Sequence, residues 1–158
     1  MTSEDITTLF AAADEAFPAI VGQPEDQDLH TLIEVLTPLL LEIPFDLEKG
    51  VHNLVGLIQA DADYTAEFGN GAVFVRPGRL IPYDAAIKSD ASNVDRARAK
   101  ANWRAKRSDA ATYEVTERCL RKFVISKVEE TWIRELKQAK YFYTKRMAKE
   151  IVDHLQAS

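Results

Sequence analysis

Only one cysteine, Cys119, and three histidines occur in 158 residues. A lone cysteine excludes a disulfide-stapled scaffold. Cys119, His30, His52 and His154 stand at unrelated spacings, short of the set of about four N or S ligands that a structural zinc takes. Glycine and proline number six each, which excludes collagen-like and low-complexity classes. No run approaches the roughly 18 apolar residues of a membrane span. The longest apolar cluster, Leu36 to Ile43, is broken by Thr37, Pro38 and Glu42. The opening MTSEDITTLF carries Glu4 and Asp5, unlike a secretory or mitochondrial leader. Together with the single cysteine this points to a reducing interior, and the expected location is the cytoplasm. No metal and no cofactor is expected.

What is present is enough for one ordinary domain: 46% hydrophobic residues and 28% charged ones can bury a core. Charge is divided unevenly. Residues 1–75 hold fourteen acids against one base, Lys49, whereas residues 76–158 hold nineteen bases against eleven acids. Such a split implies either that the halves neutralise each other or that they meet an electrostatic partner.

Apolar spacing reads as helix along most of the chain. A short helix is expected over 2–17, with Ser3 as cap and Pro18 behind it. Residues 18–27 form a linker with an acidic end. From Asp28 to Ile43, Leu29, Leu32, Ile33, Leu36, Leu39 and Leu40 recur at steps of three and four, the helical period. Pro38 makes this either a kinked helix or two short pieces. Residues 50–60 are a second short helix candidate, and 61–71 reads as an acidic turn ending in Gly69-Asn70-Gly71. The two β-prone runs around Pro77-Gly78 allow one small hairpin at 72–83. Residues 93–137 contain no glycine and no proline and are rich in helix formers. With Asp90 or Ser92 as cap, they predict a long helix over about 93–127, then a bend or second helix to 137. The apolar stripe runs through Ala99, Trp103, Ala110, Tyr113, Leu120, Phe123, Val124, Val128, Trp132 and Leu136. Tyr141-Phe142-Tyr143 is a connector, and a last amphipathic helix spans about 146–156. The expected fold is therefore mainly α, with an irregular acidic N-terminal third. Residues 1–27 form an acidic helix and linker, and 28–158 a single helical domain.

Catalytic signatures are absent. No G-x-S-x-G elbow, phosphate-binding G-x-x-x-x-G-K-[ST] loop or G-x-G-x-x-G is found. Cys119 sits in a helical segment beside an apolar stripe, the setting of a packed thiol. Asp61 and Asp63 read as solvated carboxylates. Glu129 and Glu130 are adjacent on a helix and cannot share one site. The chain is read as non-enzymatic, with no catalytic residue assigned. An unrecognised enzyme is the most distant alternative.

A basic run is more informative. At about 100° per residue, Arg96, Lys100, Arg104 and Arg107 share one helical face. That face is either solvated, facing the acidic half, or it tracks a phosphate backbone as a nucleic-acid-binding module. Only Trp103 lies in the run, and the pattern assigns it to the apolar stripe, so base stacking has no support there.

The last third carries a family resemblance. FVISKVEETWIREL (123–136), FYT (142–144) and AKEIVDHLQ (148–156) resemble the Gag region of copia-type long-terminal-repeat retrotransposons. There a V-E-D-T-W-I-x-E-L block runs into F-Y-T, then T-A-K, then an L-L-D-H-L-Q helix. LTPLLLEIPFD (36–46), GVHNLVGLI (50–58), FVRPGRLIPYD (74–84) and YEVTERCLRKF (113–123) are similar to the preceding part of that polyprotein. The resemblance implies the front part of a Gag, a helical protein acting by self-association to form a capsid. It lacks the further helical region and the zinc knuckle that family members carry. Met147 stands where the family has threonine, so capping of the last helix falls to Thr144. Trp132, Phe142 and Tyr143 are the candidate interaction anchors, large side chains that hold either a core or an interface. The expected partner is a second copy of the chain, with nucleic acid as the alternative and no membrane.

Overall fold

The computed structural model describes residues 1–45, 53–69, 74 and 92–157. Among them are five α-helices and no strand: α1 (Ser3–Ala16), α2 (Asp26–Glu42), α3 (Asp61–Phe68), α4 (Asn93–Lys127) and α5 (Ala148–Gln156). The protein is mainly helical, with the long helix over 93–127 as the spacing predicts and the last helix beginning two residues later than expected.

Capping chemistry fixes where α1 begins. Thr2 caps it in place of Ser3: the Thr2 hydroxyl accepts from the Asp5 N–H at 3.2 Å, and the Asp5 carboxylate accepts from the Thr2 N–H at 2.7 Å. This reciprocal box needs an acid three residues after the cap. Asp5 supplies it for Thr2, whereas Ser3 would face Ile6. The Thr2 N–H first, and the Thr2 side chain second, hold the Asp5 carboxyl below its ordinary value. The helix buries Ile6 and Phe10.

Pro38 leaves α2 as one continuous helix. Its missing N–H would have met the Glu34 carbonyl. Both residues lie on the exposed side, so water can serve that carbonyl. Beside it the Thr37 hydroxyl donates to the Ile33 carbonyl at 2.7 Å. Leu29, Leu32, Leu36 and Leu40 on the other face are fully buried.

The second short helix candidate is a 3-10 turn over Leu54–Leu57 in its described part, and Asn53 caps it by accepting from the Val55 N–H at 3.0 Å. The acidic turn expected over 61–71 is instead helix α3. Asp61 and Asp63 fall in its first turn, where the positive helix end favours them. Tyr64, 1% exposed, stacks against Phe68 with ring centroids 4.8 Å apart. The small hairpin expected at 72–83 lies outside the described residues except for Phe74, whose ring meets Tyr64 edge-on at 6.0 Å. Phe74 also covers Gly56: a methyl group there would overlap the Phe74 Cβ and Cγ atoms. These atoms are close to the backbone and cannot swing clear. Gly56→Ala is expected to cost about 1–3 kcal/mol through overpacking, read as a lowered thermal midpoint.

The long helix starts at Ser92, whose hydroxyl accepts from the Asp95 N–H at 3.2 Å. It stops at Lys127 because Val128 turns extended (φ −122, ψ 149). The expected bend or second helix to 137 is a pair of 3-10 turns, Glu130–Trp132 and Arg134–Leu136. The apolar stripe also needs correcting. Residues buried in α4 run only from Thr116 to Lys127; Ala99, Trp103 and Ala110 are half-exposed. The core gathers Ile6 and Phe10 of α1, the leucines of α2, Leu120 and Val124 of α4, and Ile151 and Leu155 of α5.

Contacts distant in sequence lock α1 to the end of α4. Lys127, with its side chain 7% exposed, pairs with the Asp14 carboxylate at 2.8 Å and donates to the Asp14 carbonyl at 2.9 Å. The Ile20 N–H donates to the Lys127 carbonyl at 2.7 Å.

The start of α5 is held from outside its own segment. Thr144 does not cap it; the Thr144 hydroxyl donates to the Tyr141 carbonyl at 2.7 Å. Met147 occupies the cap position and offers no acceptor. Buried Glu117 of α4 accepts from the Ala148 N–H at 2.8 Å instead. A carboxylate at a helix N-terminus meets both an orphan donor and the favourable end of the helix dipole.

Candidate interaction surfaces

Between the 3-10 turns and α5 the chain makes a tight tip. Gln138 and Phe142 exchange backbone bonds of 2.8 and 2.7 Å, closing a turn over Ala139, Lys140 and Tyr141. Phe142 takes φ +52, the left-handed region that non-glycine residues seldom adopt. Arg146 fixes the base of the tip by donating from Nε to the Leu136 carbonyl at 3.0 Å. Phe142 is 57% exposed and Tyr141 43%. Lysines surround both rings: Lys137 lies 5.2 Å from the Phe142 centroid, and Lys140 and Lys145 lie 5.5 and 5.1 Å from that of Tyr141.

The three expected anchors therefore separate. Trp132 and Tyr143 are half-buried and pack against the core. Phe142 alone of the three points into solvent. Tyr141, which the sequence offered only as part of a connector, joins it. The usable signal was the lysines at 137, 140 and 145, which flank the aromatic pair in a stretch, 137–146, that contains no acid.

Beneath the tip, Lys137 pairs with Glu130 at 2.9 Å, and the Tyr143 hydroxyl donates to the same carboxylate at 3.4 Å. The hydrogen bond and charge of Lys137 lower the Glu130 carboxyl, and Glu130 raises Lys137 in return. Burial is the first cause raising Tyr143, with the Glu130 charge second. A lowered acid supports the fold above its ordinary value and loses that support as pH falls through the folded one. The raised Lys137 and Tyr143 support it until pH climbs past their ordinary values. In Lys137→Ala, the Glu130 carboxyl is expected to titrate closer to its ordinary 4.5, which carbon-detected NMR reads directly.

The basic run lies where a polyanion could reach it. Arg96, Lys100, Arg104 and Arg107 are all exposed. No ion pair to any of them is formed among the described residues. On an ideal helix they lie roughly opposite Leu120, Phe123 and Val124, the face that the same helix buries. Trp103 belongs with the bases rather than with the stripe, its ring 5.6 Å from the Arg107 guanidinium carbon. The two charge halves do meet, through Lys127–Asp14 and Lys149–Asp61 (3.0 Å), but away from this run.

A groove lies between α2, α3 and α5, with a volume of about 1010 Å³. Ile33 and Ile58 supply apolar lining, and Asp26, Asp63, Glu67 and Asp153 its charge. Gln59 donates to Glu67 at 2.7 Å, while its buried Oε1 accepts no hydrogen bond among the described residues.

The other candidate groups are dispersed. Cys119 is a half-buried free thiol with Sγ 4.0 Å from the Thr7 hydroxyl. Glu129 accepts from the Gly22 N–H at 3.1 Å, away from the Lys137–Glu130 pair. Among the described residues no group of three His, Cys, Asp or Glu side chains could hold a metal, and no helix is long and apolar enough to cross a membrane. Comparison with protein-family models, with curated proteins and with solved structures finds no match to this chain.

Proposed function

We propose that this chain is a non-enzymatic interaction protein, similar to the front part of a copia-type Gag, that works in the cytoplasm by associating with copies of itself. The observation that carries the reading is Phe142: a ring 57% exposed at φ +52, on a turn closed by two backbone bonds. Exposing an apolar ring forgoes burial, and the left-handed backbone adds a cost of order 1 kcal/mol. Such a ring, fixed before contact, loses little entropy on binding and is suited to anchor an interface. The Gag resemblance of residues 123–156 supports the same reading from the sequence side. The free thiol Cys119 suits a reducing compartment.

Sedimentation and light scattering over rising concentration test it. Dimers or larger species are expected to appear by about 100 μM, a threshold equivalent to about 5.5 kcal/mol of binding. Phe142→Ala is expected to weaken association by at least about tenfold. A clean monomer at that concentration overturns the reading.

The exposed face of Arg96, Lys100, Arg104 and Arg107, unpaired among the described residues, favours nucleic-acid binding as a second reading. Affinity for a labelled duplex should then fall steeply between about 50 and 200 mM salt. Binding indifferent to salt counts against it.

A further inference from the structure

We infer that the tip of one copy docks in the acidic groove of another, so that copies associate head to tail. The inference rests on the self-association reading above and names its interface.

Two features of the two surfaces correspond. The tip presents Tyr141 and Phe142 as apolar centre, and the groove presents half-exposed Ile33, with Ile58 of its lining buried. Residues 137–146 contain four bases and no acid. Lys140 and Lys145 form no ion pair among the described residues. The groove's Asp63, Glu67 and Asp153 are exposed and likewise form no ion pair there. Ammonium groups beside aromatic rings would thus meet carboxylates beside an apolar lining.

The geometry favours a second copy over the chain's own tip. The tip precedes α5 at Ala148, whereas α5 lines the groove through Asp153 and Gln156. Ala148 and Gln156 are about 12 Å apart along the helix axis. No hydrogen bond or ion pair joins the tip to the groove among the described residues. Two different patches meeting make a heterologous contact, which closes into rings or runs on as a filament.

Charge reversal tests the interface. Lys140→Glu/Lys145→Glu reverses the tip. Glu67→Lys/Asp153→Lys reverses the groove, at positions near helix C-termini where lysine is electrostatically favoured. Circular dichroism establishes that both double variants are folded. Each alone is expected to raise the dissociation constant at least about tenfold, and an equimolar mixture of the two to recover wild-type association. Wild-type association that survives either reversal, or reversals that the mixture does not rescue, overturns this interface and leaves self-association standing. A wild-type monomer at about 100 μM overturns both. Loss of duplex binding in the tip variant with association unchanged assigns the tip to nucleic acid and overturns the proposal.

Discussion

Leu120→Ala is expected to lower the thermal midpoint by roughly 5 to 15 °C. Leu120 is fully buried on the stretch of α4 that faces the core. Truncating such a side chain removes its transfer free energy and leaves a cavity, together about 2–5 kcal/mol. In a chain of this size each kcal/mol moves the midpoint by about 2–4 °C. Val94 supplies the control. It lies on the same helix but is 69% exposed, so Val94→Ala should stay within about 0.5 kcal/mol of wild type. Equal shifts in the two variants would mean that the helix is buried along its whole length, against the division between exposed and buried halves found here. Differential scanning calorimetry on both decides it.

Glu117→Ala is expected to cost about 1–3 kcal/mol and to loosen the start of α5. The substitution takes away the acceptor that meets the Ala148 N–H at 2.8 Å within the buried region. A buried donor left without its partner bears the desolvation penalty of that group. Glu117→Gln should cost less, because the amide oxygen can still accept, although it gives up the interaction of a full charge with the helix end. Amide exchange at Ala148 separates this from general destabilisation. In Glu117→Ala it should accelerate more than exchange at Leu120 or Val124. Uniform acceleration would show that Glu117 acts only through packing.

Helix boundaries set by neighbours in sequence were legible; those set by distant ones were not. Ser92 followed by a glycine- and proline-free run announced α4, and the spacing of Ile151, Val152 and Leu155 announced α5. The cap of α5 had no local signal, because its acceptor lies 31 residues upstream. Acids and the glycines near residue 70 obscured α3; the spacing of Tyr64 and Phe68, four apart, was the weaker cue. Beyond Lys127 the apolar period continued through Trp132 and Leu136, yet Val128 and the two 3-10 turns broke the helix while keeping Ile133 buried. At the candidate surface, residue type named Phe142 but could not separate it from Trp132 and Tyr143. Exposure depends on how the Gln138–Phe142 turn aims each ring. The groove was invisible, since its lining comes from three helices and the 58–60 segment, whose arrangement in space no spacing encodes.

The pairing of α1 with the far end of α4 has a consequence for biosynthesis. Asp14 and Ile20 find their partner only at Lys127. A ribosome adding about 5–20 residues per second needs roughly 5 to 20 s to make the chain between them. During that interval Ile6, Phe10 and Phe17 have no α4 to cover them. The acids Glu4, Asp5, Asp14 and Glu15 flank those apolar side chains and keep the waiting segment charged. The acids of α1 thus hold charge on a segment that is translated long before the surface it packs on.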